Sequence, residues 1–387
     1  MPAPERPRLD LRPGRPDLAA FPRRAWHAAL GRVLLDAPDA TLGYADADGA
    51  GAGTAELRRA LAAYLGRVRG VVAASDRVVV TAGLRAGLGL LWRVLGAEGA
   101  RRVAVEDPGW RGQPESVTDA GLEPVAVPVD AGGLVVDGLD ALAVDAVVVT
   151  PAHQFPAGVV LAAERRAALV AWARRRGALV VEDDYDAEFR YDREPVGALQ
   201  GLAPACVVYA GSASKTLAPA LRLGWLVLPE RLAAPVAAAR WRADRGSPAL
   251  DELALADLIE RGALDRHLRA SRRRHRLRRD ALVAALHREL PEARVEGVAA
   301  GLHAVVRLPE DVDEAQAVAA AARRGLAVEG LAAHALDRPT AGPALLVGYA
   351  GLPEAAMPRA VAELAAAVRE AASVGPGRSP ACAPTGL

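Results

Sequence analysis

Short apolar runs rich in valine recur through the first half of the chain, with longer amphipathic stretches between them. Two examples are 77–81 (RVVVT) and 145–150 (DAVVVT). These runs lack the polar–apolar alternation of a half-exposed strand, so they indicate strands that are covered on both faces. Because helical stretches separate them, the pattern predicts a mostly parallel α/β sheet of seven strands with helices on both faces. The predicted strands are 77–81, 102–106, 123–128, 145–150, 178–183, 205–210 and 221–228.

The pattern changes after about residue 229, where helical stretches dominate and strands become short. We expect helices at 231–242 and 250–289, the second broken near 261–262, and then a smaller α+β C-terminal domain. A length of 387 residues suits one large and one smaller domain. The predicted divisions are an N-terminal arm over 1–42, a large domain over 43–260, a small domain over 261–372 and a disordered tail over 373–387.

The composition argues against several classes of protein. The net charge is +1, which gives no overall field for nucleic acid or a membrane surface. The basic run 269–279 lacks interleaved aromatic residues, so we interpret it as the solvated face of a helix. Two distant cysteines suggest neither a disulfide framework nor a metal site. There is no secretion signal or long uncharged apolar stretch, and we expect a cytoplasmic protein without a membrane span.

Chemically versatile residues follow several of the predicted strands, and in open α/β sheets ligands bind beyond the carboxyl ends of the strands. A purely structural sheet edge would not need this set. The residues in question are Gly83, Leu84 and Arg85 after the first strand, Trp110 after the second, His153 after the fourth, Asp183 and Tyr185 at the fifth, and Ser212, Ser214 and Lys215 at the sixth.

These residue types suit pyridoxal 5′-phosphate (PLP). A desolvated Lys215 amine can form a Schiff base with the cofactor aldehyde. Asp183 can face the pyridine nitrogen and keep it protonated, which makes the ring an electron sink. Tyr185 can hydrogen-bond the ring oxygen, and Trp110 can stack on the ring face. His153 either holds its loop or contacts cofactor or substrate.

The cofactor phosphate needs backbone N–H groups at a helix N-terminus, and Gly83, Leu84 and Arg85 form such a turn. Ser212, Ser214 and Arg222 can complete the phosphate site, with Arg222 supplying charge-assisted donors. We expect the Arg85 side chain itself at the substrate mouth or the surface.

At this point the sequence resembles the aminotransferase-like domain of the MocR/GabR group of regulators, which is itself similar to fold-type I aminotransferases. The resemblance covers nearly the whole chain. It rests on LDLRPGRPDLAAFPRRAW (9–26), VVVTAGLRAGL (78–88), VEDPGW (105–110), VVVTPAHQFPAG (147–158), VVEDDYDAEFRYD (180–192), YAGSASKTLAPALRLGWLVLP (209–229), AGLHAVVRLP (300–309) and LLVGYAGL (345–352).

The resemblance implies a fold-type I large domain, and it assigns the Schiff base to Lys215, the pyridinium partner to Asp183 and the ring-oxygen partner to Tyr185. It also implies that Arg222 binds the phosphate and that Trp110 stacks on the ring. A homodimer with shared active sites is expected, and Tyr44 resembles the tyrosine that one subunit lends to the other.

Three departures from the family pattern bear on function. No winged helix–turn–helix precedes the domain in this sequence, which favours a free-standing enzyme over a DNA-binding regulator. The segment after Tyr44 (ADADGAGAGTAEL) is longer and richer in glycine than usual, and we expect it to reshape the entrance. The stretch 345–349 lacks the arginine that many aminotransferases use for the substrate carboxylate, and Arg338 is a candidate substitute.

The sequence therefore predicts a PLP enzyme that acts on an α-amino acid, with amino-group transfer as the first reading. The alternative is β- or γ-elimination, replacement or carbon–carbon bond formation in specialised metabolism, with S-adenosylmethionine as a candidate substrate. A further alternative is a PLP-sensing regulatory module without turnover.

Overall fold

A computed structural model describes residues 8–43, 50–191, 196–245, 248–337 and 339–374. Among these residues no helix is both long enough and apolar enough to cross a membrane. The α-helices are α1 (Arg23–Asp36), α2 (Ala55–Arg69), α3 (Leu84–Ala97), α4 (Gly112–Asp119), α5 (Leu139–Leu142), α6 (Ala163–Arg176), α7 (Glu230–Asp244), α8 (Ala249–Glu260), α9 (Ala263–Glu289), α10 (Glu314–Arg323) and α11 (Met357–Val374). The strands are β1 (Leu9–Asp10), β2 (Val78–Thr81), β3 (Arg102–Asp107), β4 (Glu123–Asp130), β5 (Gly133–Leu134), β6 (Ala146–Val149), β7 (Leu179–Asp183), β8 (Val207–Ser212), β9 (Gly224–Val227), β10 (Arg294–Glu296), β11 (His303–Arg307), β12 (Leu326–Ala327), β13 (Glu329–Gly330) and β14 (Ala344–Gly348).

The main sheet has the strand order β2-β9-β8-β7-β6-β3-β4-β5. Strands β8, β7, β6, β3 and β4 pair in parallel, whereas β9 runs antiparallel to both β8 and β2. All seven predicted strands are present, and the expectation of a mostly parallel sheet is confirmed. The sheet has an eighth member, β5, which pairs antiparallel with the end of β4. A strand of two residues is too short to leave a hydrophobic pattern in the sequence.

The valine runs are explained by cores on both faces of this sheet. Along β6, Ala146 and Val148 belong to the core that contains Trp92 of α3, and Val147 and Val149 belong to the core that contains Trp172 of α6. Successive residues of a strand point to opposite faces, so both positions must be apolar when both faces are covered. The strands lack polar–apolar alternation because helices cover both faces of the sheet rather than one.

The glycine-rich segment that sets this sequence apart packs against the core where the structure describes it. Arg240 of α7 donates to the Gly51 carbonyl at 2.9 Å, and Glu252 of α8 accepts from the Thr54 N–H at 2.6 Å. The Arg240 and Glu252 side chains also pair with each other at 3.1 Å, and both are buried. A Cβ on Gly51 would lie 2.4 Å from the Ala237 carbonyl oxygen, so this close approach requires glycine.

The C-terminal part of the chain forms an α+β unit with two sheets. Antiparallel strands β10-β11-β14-β13 make a four-stranded sheet, and α10 packs on α11. The N-terminal strand β1 belongs to this unit, because it pairs in parallel with β12. The Leu11 carbonyl accepts from the Gly348 N–H at 2.7 Å, and a Cβ on Gly348 would lie 2.2 Å from the Arg12 carbonyl oxygen.

The compact units differ from the predicted domain boundaries. Within the described residues, one unit comprises 8–15, 274–297 and 302–374, and the other comprises 16–273 and 298–301. The predicted arm over 1–42 is divided between them, because strand pairing joins its first residues to the C-terminal unit. The predicted boundary at 260/261 coincides with the break between α8 and α9, but the division falls within the continuous helix α9. Both differences depend on pairings distant in sequence, which local patterns do not encode.

Replacing Glu252 with alanine tests the buried ion pair. We expect a loss of about 3–5 kcal/mol in the free energy of unfolding, because Arg240 then stays buried without its carboxylate. Urea unfolding followed by tryptophan fluorescence measures the change. As a matched control, Glu230→Ala removes the carboxylate of the exposed Arg77–Glu230 pair and should leave the midpoint nearly unchanged. Equal losses in the two variants would contradict the interpretation.

Candidate active site

The predicted site residues that follow strands lie at one edge of the main sheet. Strands β3, β6, β7 and β8 are parallel, so their carboxyl ends lie at the same edge. Two antiparallel steps through β9 make β2 parallel to β8, which brings the end of β2 to this edge as well. Side chains then link neighbouring loops: Gln113 reaches Asp183, and Tyr185 reaches His153. The convergence expected from the order of the strands is present.

Asp183 is the last residue of β7 and is almost completely buried. Its Oδ2 accepts a hydrogen bond from Gln113 Nε2 at 3.2 Å, whereas no described residue donates to its Oδ1. Burial raises the pKa of Asp183 to about 7, against the opposing hydrogen bond from Gln113 and with help from the charges of Asp184, Glu106 and Asp186. A buried carboxylate with one unpaired oxygen is costly unless a ligand supplies the missing donor.

Lys215 lies in the turn that follows β8 and is half-buried. The turn is fixed by backbone hydrogen bonds from Ala213 to Leu223 at 2.9 Å and from Leu217 to Ala213 at 2.8 Å. His267 Nε2 of α9 lies 2.8 Å from the Thr216 carbonyl oxygen, directly after the lysine. Lys215 is also the only lysine of the sequence. One ε-amine is therefore held at the edge that carries Asp183.

A glycine turn and an arginine lie together at the start of α3. Gly83 has a φ of +89°, and the backbone N–H groups of the next residues form the helix N-terminus. The Arg222 guanidinium packs over Gly83 and donates to the Ala82 carbonyl at 2.6 Å. Gly224 approaches from β9, where it pairs with Ser212 of β8. A cationic side chain, a serine and helix-terminal N–H groups are the donors that a phosphate requires.

Aromatic side chains form the other part of the site. Trp110 is half-buried, and a Cβ on Gly112 would lie 2.3 Å from its Cζ2, so the indole occupies the space beside that glycine. The Tyr185 ring stacks against His153 with 6.1 Å between the centroids and meets Phe155 edge-on at 6.1 Å. These contacts fix the orientation of the tyrosine, so its hydroxyl has a defined position.

Glu106 at the end of β3 was not predicted as a site residue, yet it joins two of the loops. It accepts from the Thr150 hydroxyl at 2.5 Å and from Gln154 Nε2 at 3.2 Å. The same Gln154 nitrogen donates to the Pro108 carbonyl at 3.0 Å, in the loop that leads to Trp110. Burial raises the pKa of Glu106 to about 7. The motif VEDPGW contains this glutamate, but its partners lie 44 and 48 residues away.

The neighbouring acidic residues Asp184 and Asp186 have partners inside the chain. Asp184 forms a buried ion pair with Arg69 at 2.7 Å. Asp186 Oδ2 lies 2.9 Å from His153 Nδ1, and both side chains are buried. Gln113 was also missed by sequence reasoning, since an amide in the first turn of a helix carries no specific signal.

Three of the predicted residues contribute differently or lie outside the described chain. The Arg85 guanidinium is exposed and pairs with Glu115 at 3.0 Å and Asp119 at 3.2 Å. Only its backbone N–H therefore points to the helix N-terminus. Tyr44 and Arg338 lie outside the described residues.

A mostly parallel sheet that carries a lysine, a buried aspartate and a glycine turn with an arginine at one edge is the arrangement of the fold-type I class of PLP-dependent proteins. The family model for aminotransferase class I and II matches residues 23–364. The chain belongs to this family, and its cofactor is pyridoxal 5′-phosphate.

Individual relatives include both regulators and an enzyme. The pyridoxine biosynthesis transcriptional regulator PdxR of Corynebacterium glutamicum is 36% identical over 327 residues, covering 84% of this chain and 69% of that protein. The probable rhizopine catabolism regulatory protein MocR of Rhizobium meliloti is 33% identical over 347 residues, covering 89% and 69%. The crystal structure of Pyrococcus horikoshii kynurenine aminotransferase superposes with a TM-score of 0.83 at 25% identity, covering 94% of this chain and 91% of that one.

The described residues fit this cofactor. The unpaired Oδ1 of Asp183 matches the pyridinium N–H, which is the donor that the buried carboxylate lacks. The Gly83 turn with Arg222 matches the phosphate, and the single ε-amine of Lys215 matches the aldehyde. The chain therefore presents complementary chemistry for three separate groups of PLP.

The close approach of β9 to the Gly83 turn can be tested with Gly224→Ala. The new Cβ would lie 2.7 Å from the Gly83 carbonyl carbon and 2.9 Å from the Leu84 nitrogen. We expect PLP affinity to fall by about tenfold or more, because the N–H groups that face the phosphate are displaced. The control is Gly89→Ala in α3, where a Cβ would make only an ordinary contact with Arg93 Nη1, at 3.8 Å. Fluorescence titration with PLP measures both variants, and similar affinities would contradict this role of Gly224.

The raised pKa of Asp183 predicts a pH dependence of stability in the cofactor-free protein. The folded chain keeps this proton up to about pH 7, whereas an unfolded aspartate loses it near 3.8. Between these values the folded state binds more protons, so stability falls as pH rises. In Asp183→Asn we expect the slope of unfolding free energy against pH to be flatter by about 1.4 kcal/mol per unit. Urea unfolding across this window measures it, and unchanged slopes would refute the assignment.

Proposed function

We propose that the chain is a PLP-dependent transferase that removes the amino group of an α-amino acid and passes it to a 2-oxo acid, with Lys215 holding the cofactor. The observation that carries this proposal is the buried Asp183 carboxylate with its unpaired Oδ1, at the same sheet edge as the only lysine of the chain. Keeping such a carboxylate in the core has a free-energy cost that a pyridinium partner would offset.

Each group of the site then has a distinct task. When bound, PLP supplies an electron sink for the bond that breaks at the substrate Cα. Asp183 Oδ1 would accept a hydrogen bond from the pyridine N–H, and Tyr185 Oη would donate to the ring oxygen. The indole of Trp110 would cover the ring and exclude water. Lys215 Nζ, once it is free, would accept the proton from the substrate Cα.

The phosphate anchors the cofactor while the lysine is released. Backbone N–H groups of Leu84 and Arg85 and the side chains of Ser212, Ser214 and Arg222 would hold it, with Gly83 allowing the close approach. Anchoring at this point keeps the ring in register with Asp183 throughout the exchange of amines.

We also propose a homodimer with shared sites, in which Tyr44 of the partner subunit reaches the cofactor. Leu34 and Leu35 of α1 are 62% and 86% exposed, and nearby Leu42 is 69% exposed. Exposed leucines close together in sequence support a contact surface on this part of the chain. Arg338 stays a candidate for the substrate carboxylate.

One observation favours a different outcome after Cα proton removal. Strand β14 carries Leu345, Leu346 and Val347, all fully buried, where many aminotransferases have the carboxylate-binding arginine. A site without that arginine suits elimination, replacement or carbon–carbon bond formation, and S-adenosylmethionine is the test substrate for γ-chemistry. Release of a 2-oxo acid from common amino acids that leaves the cofactor as pyridoxamine phosphate would exclude this alternative.

The regulatory relatives favour a second candidate function, which is PLP sensing without turnover. PdxR and MocR are named as regulators and resemble this chain over most of its length. A sensing module would bind PLP through the same residues. It would differ by forming no product with any amino acid.

The experiment compares absorbance spectra of wild type, Lys215→Ala and Lys215→Arg after addition of PLP. We expect a visible band in wild type alone, because Arg keeps the charge but cannot bond to the aldehyde. Borohydride reduction should place the cofactor mass on the peptide that contains Lys215. Since the chain has no other lysine, a stable adduct elsewhere could form only at the N-terminal amine.

Amino acids, including S-adenosylmethionine, are then added to the loaded wild type. Loss of the visible band with stoichiometric release of a 2-oxo acid supports amino-group transfer. A shifted band without product supports sensing. Absence of any Lys215-dependent band would refute the proposal as a whole.

A further inference from the structure

Two oxygens approach the same nitrogen of His153. Asp186 Oδ2 lies 2.9 Å from His153 Nδ1, and the Tyr185 hydroxyl oxygen lies 3.0 Å from it. His153 and Asp186 are 2% exposed each, so water does not compete for these contacts. The three residues come from two strand ends, β6 and β7, and meet only in the folded chain.

The chemistry of a ring nitrogen restricts the hydrogen bonds that His153 Nδ1 can make with these two oxygens. Nδ1 carries either one hydrogen or one lone pair, and a carboxylate such as Asp186 can only accept. The hydrogen therefore sits on Nδ1 and is directed at Asp186. Tyr185 Oη can also accept a hydrogen bond from that N–H. It cannot donate to Nδ1, because a protonated Nδ1 has no free lone pair. Its own hydrogen must point to an acceptor other than Nδ1.

We infer that His153 and Asp186 are positioning residues that orient the Tyr185 O–H toward the ring oxygen of PLP. This inference rests on the proposed function, in which Tyr185 faces that oxygen. His153 does not need to touch the cofactor. The N–H that is directed at Asp186 is shared with the tyrosine oxygen, and this sharing makes Tyr185 a stronger donor, since hydrogen bonds in a chain polarise one another. Asp186 acts one step further away by fixing the hydrogen on Nδ1.

The surroundings keep this arrangement closed. Gly301 has a φ of +73°, and a Cβ there would lie 2.3 Å from His153 Cε1 and 2.5 Å from Asp186 Oδ2. The Gly301 carbonyl accepts from the Tyr191 hydroxyl at 2.6 Å, and its N–H donates to the Phe189 carbonyl at 2.7 Å. A glycine held by two hydrogen bonds thus covers the pair without room for a side chain.

The charged groups nearby are mainly acidic. The charge of Asp186 contributes to the raised pKa of Asp183 and of Glu188, for both of which burial is the main cause. Arg190 donates to the Ala152 carbonyl at 3.0 Å, next to His153 in the chain. Asp183, Glu188 and Arg190 are unchanged in the His153 variants below, so their influence cancels when these are compared with wild type. Asp186→Asn also removes a charge that acts on Asp183, so the His153 variants carry the comparison.

The experiment uses the PLP-loaded chain with two substitutions of His153 and one of Asp186. His153→Leu removes the Nδ1 hydrogen, Asp186→Asn removes its anchor, and His153→Asn restores an N–H donor at the place of Nδ1. The readouts are the PLP dissociation constant and the pH midpoint of the Lys215-dependent visible band.

We expect His153→Leu and Asp186→Asn to weaken PLP about tenfold and to raise the pH midpoint by about one unit, because the ring oxygen loses an oriented donor to its negative charge. Tyr185→Phe should have the same effect. His153→Asn should stay close to wild type, which a role in packing alone would not predict.

A double-mutant cycle decides whether the effect passes through the tyrosine. In the Tyr185→Phe background, His153→Leu should add no further shift of the midpoint and no further loss of affinity. Additive effects would overturn the inference, as would a wild-type midpoint and affinity in a folded His153→Leu that binds PLP. A chain that gives no Lys215-dependent band at all would overturn the proposed function first, and that result is recognised in wild type before any variant is compared.

Discussion

Carboxylates buried at the ends of β3 and β7, which β6 separates in the sheet, impose the demand that organises this site. Each needs hydrogen-bond donors once it is removed from water, and three find them inside the chain. Glu106 takes the Thr150 hydroxyl and a side-chain amide, Glu182 takes two backbone N–H groups, and Asp184 takes the Arg69 guanidinium. Asp183 obtains only the neutral amide of Gln113. Its Oδ1 has no donor among the described residues, and the same holds for Asp184 Oδ1, but the charge of Asp184 is balanced by the Arg69 guanidinium.

The same demand ties the loops together. Glu106 fixes the loop after β6, and the amide that it binds also fixes the loop before Trp110. Asp186 extends this arrangement to His153 and through it to Tyr185. Rigid placement of donors before the cofactor arrives limits the reorganisation needed at the moment of reaction. The covered sheet supplies the low-polarity surroundings in which such hydrogen bonds count most.

The strands and the residues that follow them could be predicted from the sequence, because a doubly covered parallel sheet leaves long valine runs and places its ligands at one edge. Lys215 and Asp183 stood out for this reason. Gln113 and Glu106 did not stand out, since an amide in a helix and a glutamate near the end of a strand are common and carry no specific sequence signal. Their roles come from partners distant in sequence, as does the pairing of β1 with β12.

The chain by itself determined the sheet, the order of the loops and the chemical groups available at its edge, because hydrophobic periodicity and residue type are local properties. Only the tertiary structure decided that Asp183 keeps an oxygen without a donor among the described residues while Asp184 is paired with Arg69, and that His153 Nδ1 lies within 3 Å of both Asp186 and Tyr185. Those outcomes depend on burial and on distances of about 3 Å between atoms from different strands, and one-dimensional spacing carries no information about either.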